Sequence, residues 1–164
     1  SAIAVIAQNG DKELHTEFFE KYTSTQIPQE KIRFLFSLSE FKSNDLIKET
    51  LKLSLSEKIK NQDAPYLIAT AIRNYRHTNT AWNFVEQNWE KINKIFPNNT
   101  IPRMFGGIKS VSDKELAERI SLFFDKNPVP QGQKTIDQNL EKMNINLKFV
   151  DHQSIILNNW LQGF

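Results

Sequence analysis

Apolar residues recur along this chain at helical spacing. Trp82, Val85, Trp89, Ile92 and Phe96 follow one another at steps of 3, 4, 3 and 4 residues, which predicts one apolar stripe along one helix face. Thr80 stands where an N-cap belongs, and Pro97 stops the helix. Leu116, Ile120 and Phe123 repeat the pattern after Ser112-Asp113-Lys114-Glu115, where a Ser with Glu three residues on has the form of a capping box. Pro128 ends that helix.

Other segments read in the same way. Leu14, Phe18 and Tyr22 share a face in a helix beginning near Asp11, and Pro28 fits the first turn of a helix carrying Ile32, Leu35, Phe36 and Leu38. Ser43 or Asn44 caps a helix with Ile47, Leu51 and Leu55, while Asp63 and Pro65 open one with Ile68, Ile72 and Tyr75. Ile136, Leu140, Met143 and Leu147 form a further stripe, and Asp151 caps a last helix with Ile155, Ile156 and Trp160. Strand-like alternation is confined to Leu53-Ser54-Leu55 and Ile145-Asn146-Leu147, both inside helical patterns. The expected fold is all-α with about 8–9 helices.

Helix starts fall near 11, 28, 44, 63, 80, 112, 135 and 151, at steps of 16 to 19 residues as far as 80. Each helix pair therefore occupies about 35 residues, the scale of helical-hairpin repeats in which each pair buries its open face on the next. No shared signature runs through the units. The stretch from Pro97 to Val111 breaks the rhythm with Pro97, Pro102, Gly106 and Gly107, and reads as an irregular loop suited to function.

With 164 residues the chain fits one domain, 1–164, and its 39% hydrophobic and 24% charged residues suit a packed core. Net charge is only +2, so clustered basic residues for nucleic acid are not in view. There is no Cys, which excludes disulfides, Cys-based zinc sites and thiol nucleophiles and suits a reducing, cytoplasmic compartment. The apolar opening Ser1-Ala2-Ile3-Ala4-Val5-Ile6-Ala7 has no basic stretch before it and reads as a helix cut from a larger protein rather than a signal peptide. No apolar run reaches the ~20 residues of a membrane span.

Catalytic constellations are missing. His15, His77 and His152 are separated by 62 and 75 residues, and none belongs to an H-E-x-x-H helix. Neither a G-x-S-x-G elbow nor a G-x-x-x-x-G-K-[ST] loop occurs. His77, in Arg76-His77-Thr78-Asn79, reads as a solvated or capping residue of a helix connection. Asp113 and Glu115 read as first-turn acids placed by the helix dipole, and Gly106-Gly107 as a backbone hinge. Arg73 and Arg76 frame a helix end where positive charge meets exposed carbonyls. Together with Arg103 in the irregular stretch, they are the candidate substrate-binding cations, suited to holding a carboxylate.

Longer motifs carry a resemblance. Gln62-Asp63-Ala64-Pro65, Arg73-Asn74 and Ala81-Trp82-Asn83-Phe84-Val85-Glu86-Gln87-Asn88-Trp89 resemble the carboxy-terminal helical domain of the puromycin-sensitive and endoplasmic-reticulum type zinc aminopeptidases (gluzincins). Arg103-Met104 before Gly106-Gly107, Phe123-Phe124, Glu141 to Leu147 and Trp160-Leu161 are similar to later parts of that domain. The likeness is specific from about 58 to 161. Thr78-Asn79-Thr80-Ala81-Trp82 lacks the Gly common in the family's connection.

The resemblance implies a bowl, an α-α superhelix of HEAT-like antiparallel hairpins closing over a separate thermolysin-like domain. It implies zinc, its H-E-x-x-H ligands and a Gly-x-Met-Glu-Asn motif in an upstream catalytic domain, with none in this chain. Peptide and the catalytic and amino-terminal domains of the same parent chain are the implied partners, with no nucleic acid and no membrane segment. Two readings compete: a stand-alone helical-repeat protein binding peptides or proteins in its groove, and an enzyme built around His77 and an acid.

Overall fold

The structure is a computed structural model that describes residues 2–163; Ser1, the first residue of the apolar opening, and Phe164 lie outside them. Among the described residues the chain is all-helical, without a strand. Its α-helices are α1 Ala2–Gln8, α2 Lys12–Ser24, α3 Pro28–Ser37, α4 Asn44–Ser54, α5 Ala64–Arg73, α6 Thr78–Ile95, α7 Ile101–Met104, α8 Lys114–Lys126 and α9 Gln133–Gln162. Two 3-10 helices, Leu38–Glu40 and Phe105–Ser110, extend α3 and α7.

Local chemistry sets many of these boundaries. The carboxylate of Asp11 accepts from the Leu14 amide at 3.0 Å and that of Asp113 from the Leu116 amide at 2.7 Å, satisfying N–H groups that a helix start leaves without an intrahelical partner. Asp113, rather than Ser112, therefore caps α8. Pro28, Pro65 and Pro102 stand in first turns, where a missing N–H costs nothing. Gly132 starts α9 with φ +117°, and a Cβ there would lie 2.6 Å from Pro102 Cβ, so backbone conformation and space both demand glycine.

After α1 the helices fall into successive pairs, α2 with α3, α4 with α5, α6 with α7 and its 3-10 extension, and α8 with α9. The second members touch in series, from α3 to α5, from α5 to α7 and its extension, and from there to α9. The first members form another layer. α4 packs on α6, His15 of α2 bonds Thr50 of α4 at 2.8 Å, and Arg119 of α8 pairs with Glu86 of α6.

Side-chain ties between pairs share a nearly constant sequence offset. Asn74 donates to the Ser39 carbonyl, His77 to the Phe41 carbonyl, Thr80 to Asn44, Arg103 to Tyr66, Arg119 to Asn83 and Asn146 to the Val111 carbonyl. Each of these links residues 35 to 37 apart. One helix pair is about that long, so each tie joins a position in one pair to its counterpart in the next.

Apolar stripes meet between the layers. Trp82, Val85 and Ile92 are fully buried, while Trp89 is only partly covered. Trp82, Trp89, Phe105, Phe123 and Phe124 form one aromatic cluster, with Phe105 and Phe124 edge to face at 4.7 Å between ring centres. A second cluster joins His15, Phe18, Phe34 and Phe41. Between them, α5 supplies Leu67, Ile68, Ala71 and Ile72, all fully buried.

Several expected details differ. The stretch after Pro97 is not an open loop. Thr100, Ile101, Pro102, Met104, Phe105 and Ile108 are buried, and the segment folds as α7 and a 3-10 helix because these apolar residues fill the joint between α5 and α9. Gly107 is no hinge either, since it is pressed against Ala69 and Ile72 of α5. Thr80 lies inside α6 and bonds Asn44 at 2.7 Å instead of capping. Tyr75 falls beyond the end of α5 and is exposed. Asp151 starts no new helix. It sits inside α9 and pairs with Lys114 at 2.7 Å, and no Pro or Gly interrupts Gln133–Gln162. Ile155, Ile156 and Trp160, read as the apolar residues of that last helix, are exposed.

Candidate functional site

Arg103 lies on α7, held by a hydrogen bond of 2.6 Å from its guanidinium to the Tyr66 hydroxyl of α5. Its neighbours Pro102 and Met104 are buried, so the backbone is pinned while the side chain is exposed. Tyr66 and Arg73 are 7 residues apart on α5 and share a face, separated by about 10 Å along the axis. Arg103 and Arg73 thus belong to one strip of α5, with the partly exposed Ala69 between. Arg76 lies beyond the helix end and stacks over the Tyr75 ring at 4.4 Å from its centre.

Beside Tyr66, a shallow depression of about 320 Å³ is lined by Gln62, Asp63, Tyr66, Pro97, Asn99 and Thr100. A guanidinium carries five donors and its bond to Tyr66 uses one, so Arg103 keeps donors for a carboxylate. Tyr66 was not among the residues singled out from sequence. Its placement 7 before Arg73, on the helix that Asp63 and Pro65 open, is the signal that points to it.

His77 is buried rather than solvated. Its Nε2 lies 2.9 Å from the Phe41 carbonyl oxygen, which can only accept, so Nε2 carries the proton. Its Nδ1 is buried without a hydrogen-bond partner. Burial pushes this histidine below its ordinary range, opposed by the Phe41 bond and reinforced by the Arg76 charge. His15 is likewise buried. The Thr50 hydroxyl donates to the Leu38 carbonyl at 3.2 Å, so His15 Nε2 is the donor in the contact with Thr50. Burial lowers His15 too, with Glu49 opposing. The nearest charge acting on His77 is thus a cation, which is the wrong arrangement for a histidine–acid catalytic pair.

Burial makes both histidines harder to protonate in the fold than in the unfolded chain, where they take up a proton near pH 6.5. Unfolding therefore binds protons below that pH, and their stabilising contribution is full above about 6.5 and falls as the pH drops further. Urea midpoints should accordingly be lower at pH 5 than at pH 7.5, and His77→Gln, which keeps a donor for Phe41, should flatten the slope. Identical slopes would show that His77 takes no part.

Glu86 is the other polar anchor, and sequence reading passed it over. Its carboxylate accepts from the Trp82 indole N–H at 2.9 Å and pairs with Arg119, joining α6 to α8. The residues present do not fit a zinc site. Among those described, no group of three or more His, Asp or Glu lies together as metal ligands would. None of their helices is long and apolar enough to cross a membrane.

Residues 1–145 match the family described as the ERAP1-like C-terminal domain. The chain is 31% identical over 147 residues to bovine (Bos taurus) endoplasmic reticulum aminopeptidase 2, covering 87% of the chain and 15% of that protein. It is 30% identical to bovine glutamyl aminopeptidase (93% of the chain, 16% of that protein) and 30% to Aminopeptidase M1-C of Oryza sativa subsp. japonica (79% and 15%). The chain thus spans about one seventh of the length of these relatives.

Proposed function

Since the chain belongs to the ERAP1-like C-terminal domain family, we propose that it is the non-catalytic carboxy-terminal domain of a zinc aminopeptidase, closing the substrate chamber and taking part in peptide access and selection. The observation that carries this reading is the family match over residues 1–145, in a chain equivalent to 15–16% of relatives named as aminopeptidases. In this reading residues 1–164 are one domain, and its helix pairs form a HEAT-like superhelix, or bowl, against the catalytic and amino-terminal domains of the parent chain. The constant offset of its inter-pair ties supports such an array. Zinc and the groups that activate water belong to the catalytic domain, and the role of this chain's residues is to bind and orient peptide.

Arg103, Arg73 and Arg76 are the substrate-binding candidates. Arg103 with Arg73 on the α5 strip suits attraction of a peptide carboxylate. Because Arg103 is exposed, one such contact contributes modestly, roughly 1 kcal/mol, or about fivefold in affinity. In the full-length enzyme, Arg103→Ala should raise KM for a peptide acid by about that factor and leave the matching amide nearly unchanged. The difference should shrink at high salt. Equal, salt-insensitive losses on both substrates would assign Arg103 to pinning α7 on Tyr66 and end the carboxylate role.

A further inference from the structure

A groove of about 830 Å³ runs between α6 and α8, away from the α5 strip. Its apolar wall consists of Trp89, Phe123 and Leu122. Trp89 is only partly covered, and Leu122 is 56% exposed although it lies in a helix whose other face is packed. Lys91, Lys94 and Lys126 stand around this wall. None of the three makes an ion pair or hydrogen bond among the described residues. Arg119 and Glu86, which also line the groove, neutralise each other. That leaves three lysines against Glu90 alone.

We infer that this groove docks an acidic segment of a partner polypeptide, one with carboxylates flanking a bulky apolar side chain. The apolar side chain covers Trp89 and Leu122, and the carboxylates meet Lys91, Lys94 and Lys126. Aromatic surface ringed by unpaired charge of one sign recognises that combination, because burial supplies affinity and charge supplies orientation and rate. Nucleic acid fits less well, since three lysines neutralise few phosphates and the chain as a whole is only +2.

The test is a nuclear magnetic resonance titration of the chain with two short synthetic peptides of equal length. One carries glutamates around a Leu-Phe pair, and the other carries lysines in their place. The acidic peptide should shift amides of α6 and α8 around Trp89 and Leu122, and the basic one should not. Lys91→Glu combined with Lys94→Glu and Lys126→Glu should weaken the acidic peptide by about tenfold or more. Leu122→Ser, at an exposed position where folding is not at stake, should weaken it separately. The inference is overturned by unchanged affinity in both variants, by shifts centred elsewhere, or by equal binding of the basic peptide. A stronger response to a single-stranded oligonucleotide or to phosphatidylserine vesicles at the same ionic strength would also overturn it.

Discussion

Replacing Trp82 by alanine is expected to remove about 3–5 kcal/mol of stability, a large part of the roughly 5–15 kcal/mol typical of a domain. The indole is fully buried, touches Phe105, Phe123 and Phe124, and gives its N–H to Glu86. Truncation therefore opens a cavity among three helical segments and removes one of the donors holding the carboxylate that also binds Arg119. Trp89→Ala should cost less, because part of that ring already faces the groove. Urea unfolding followed by circular dichroism measures both. A Trp82→Ala loss below about 1 kcal/mol, or a greater loss at Trp89, would refute this account of the aromatic cluster.

The adjacent glycines should respond in opposite ways. A Cβ on Gly107 would overlap the Ala69 carbonyl oxygen and stand 2.8 Å from Ile72 Cβ, so α5 and the 3-10 helix would have to separate. Backbone cannot swing aside as a flexible side chain can, and Gly107→Ala should cost about 1–3 kcal/mol or more. At Gly106 a Cβ meets nothing within 4 Å, and the residue's φ is not positive. Gly106→Ala should be neutral or stabilise by up to about 1 kcal/mol through the unfolded chain. Thermal melts of the two variants, side by side, decide the matter. Equal effects would mean that the joint with α5 is looser than its geometry.

The helices and most of their faces were legible in the sequence because spacing, caps and prolines are local signals. Asp11, Pro28 and Pro65 mark true starts, and the stripe from Trp82 to Phe96 lies on the buried side of α6 apart from the edge of Trp89. Where reading failed, the deciding contact was distant. Pro and Gly between 97 and 111 look like a loop until Phe105 is seen against Trp82 and Gly107 against α5. Asp151 has the chemistry of a cap, but its partner is Lys114, 37 residues earlier. His77 looks solvated beside Arg76 because nothing local announces the Phe41 carbonyl that receives it. The arginines were proposed from residue type and place in the chain, whereas Tyr66, which bonds Arg103, was legible only as a position on a helix face.

Ties that reach only from one helix pair to the next also bear on how the chain comes apart. The Phe18–Phe41 cluster and the Trp82–Phe105 cluster are each completed by neighbouring segments, and what lies between them is the aliphatic face of α5 and the contact of α4 with α6. Opening can therefore start at one end and stop at α5, leaving the other aromatic block assembled, rather than spread at once through the whole chain. In amide exchange, α2 to α4 and α6 to α8 would then behave as separate cooperative blocks, with α5 the slowest to open because both blocks shield it. Exposed α9 beyond Lys148 would exchange first, on a timescale of its own.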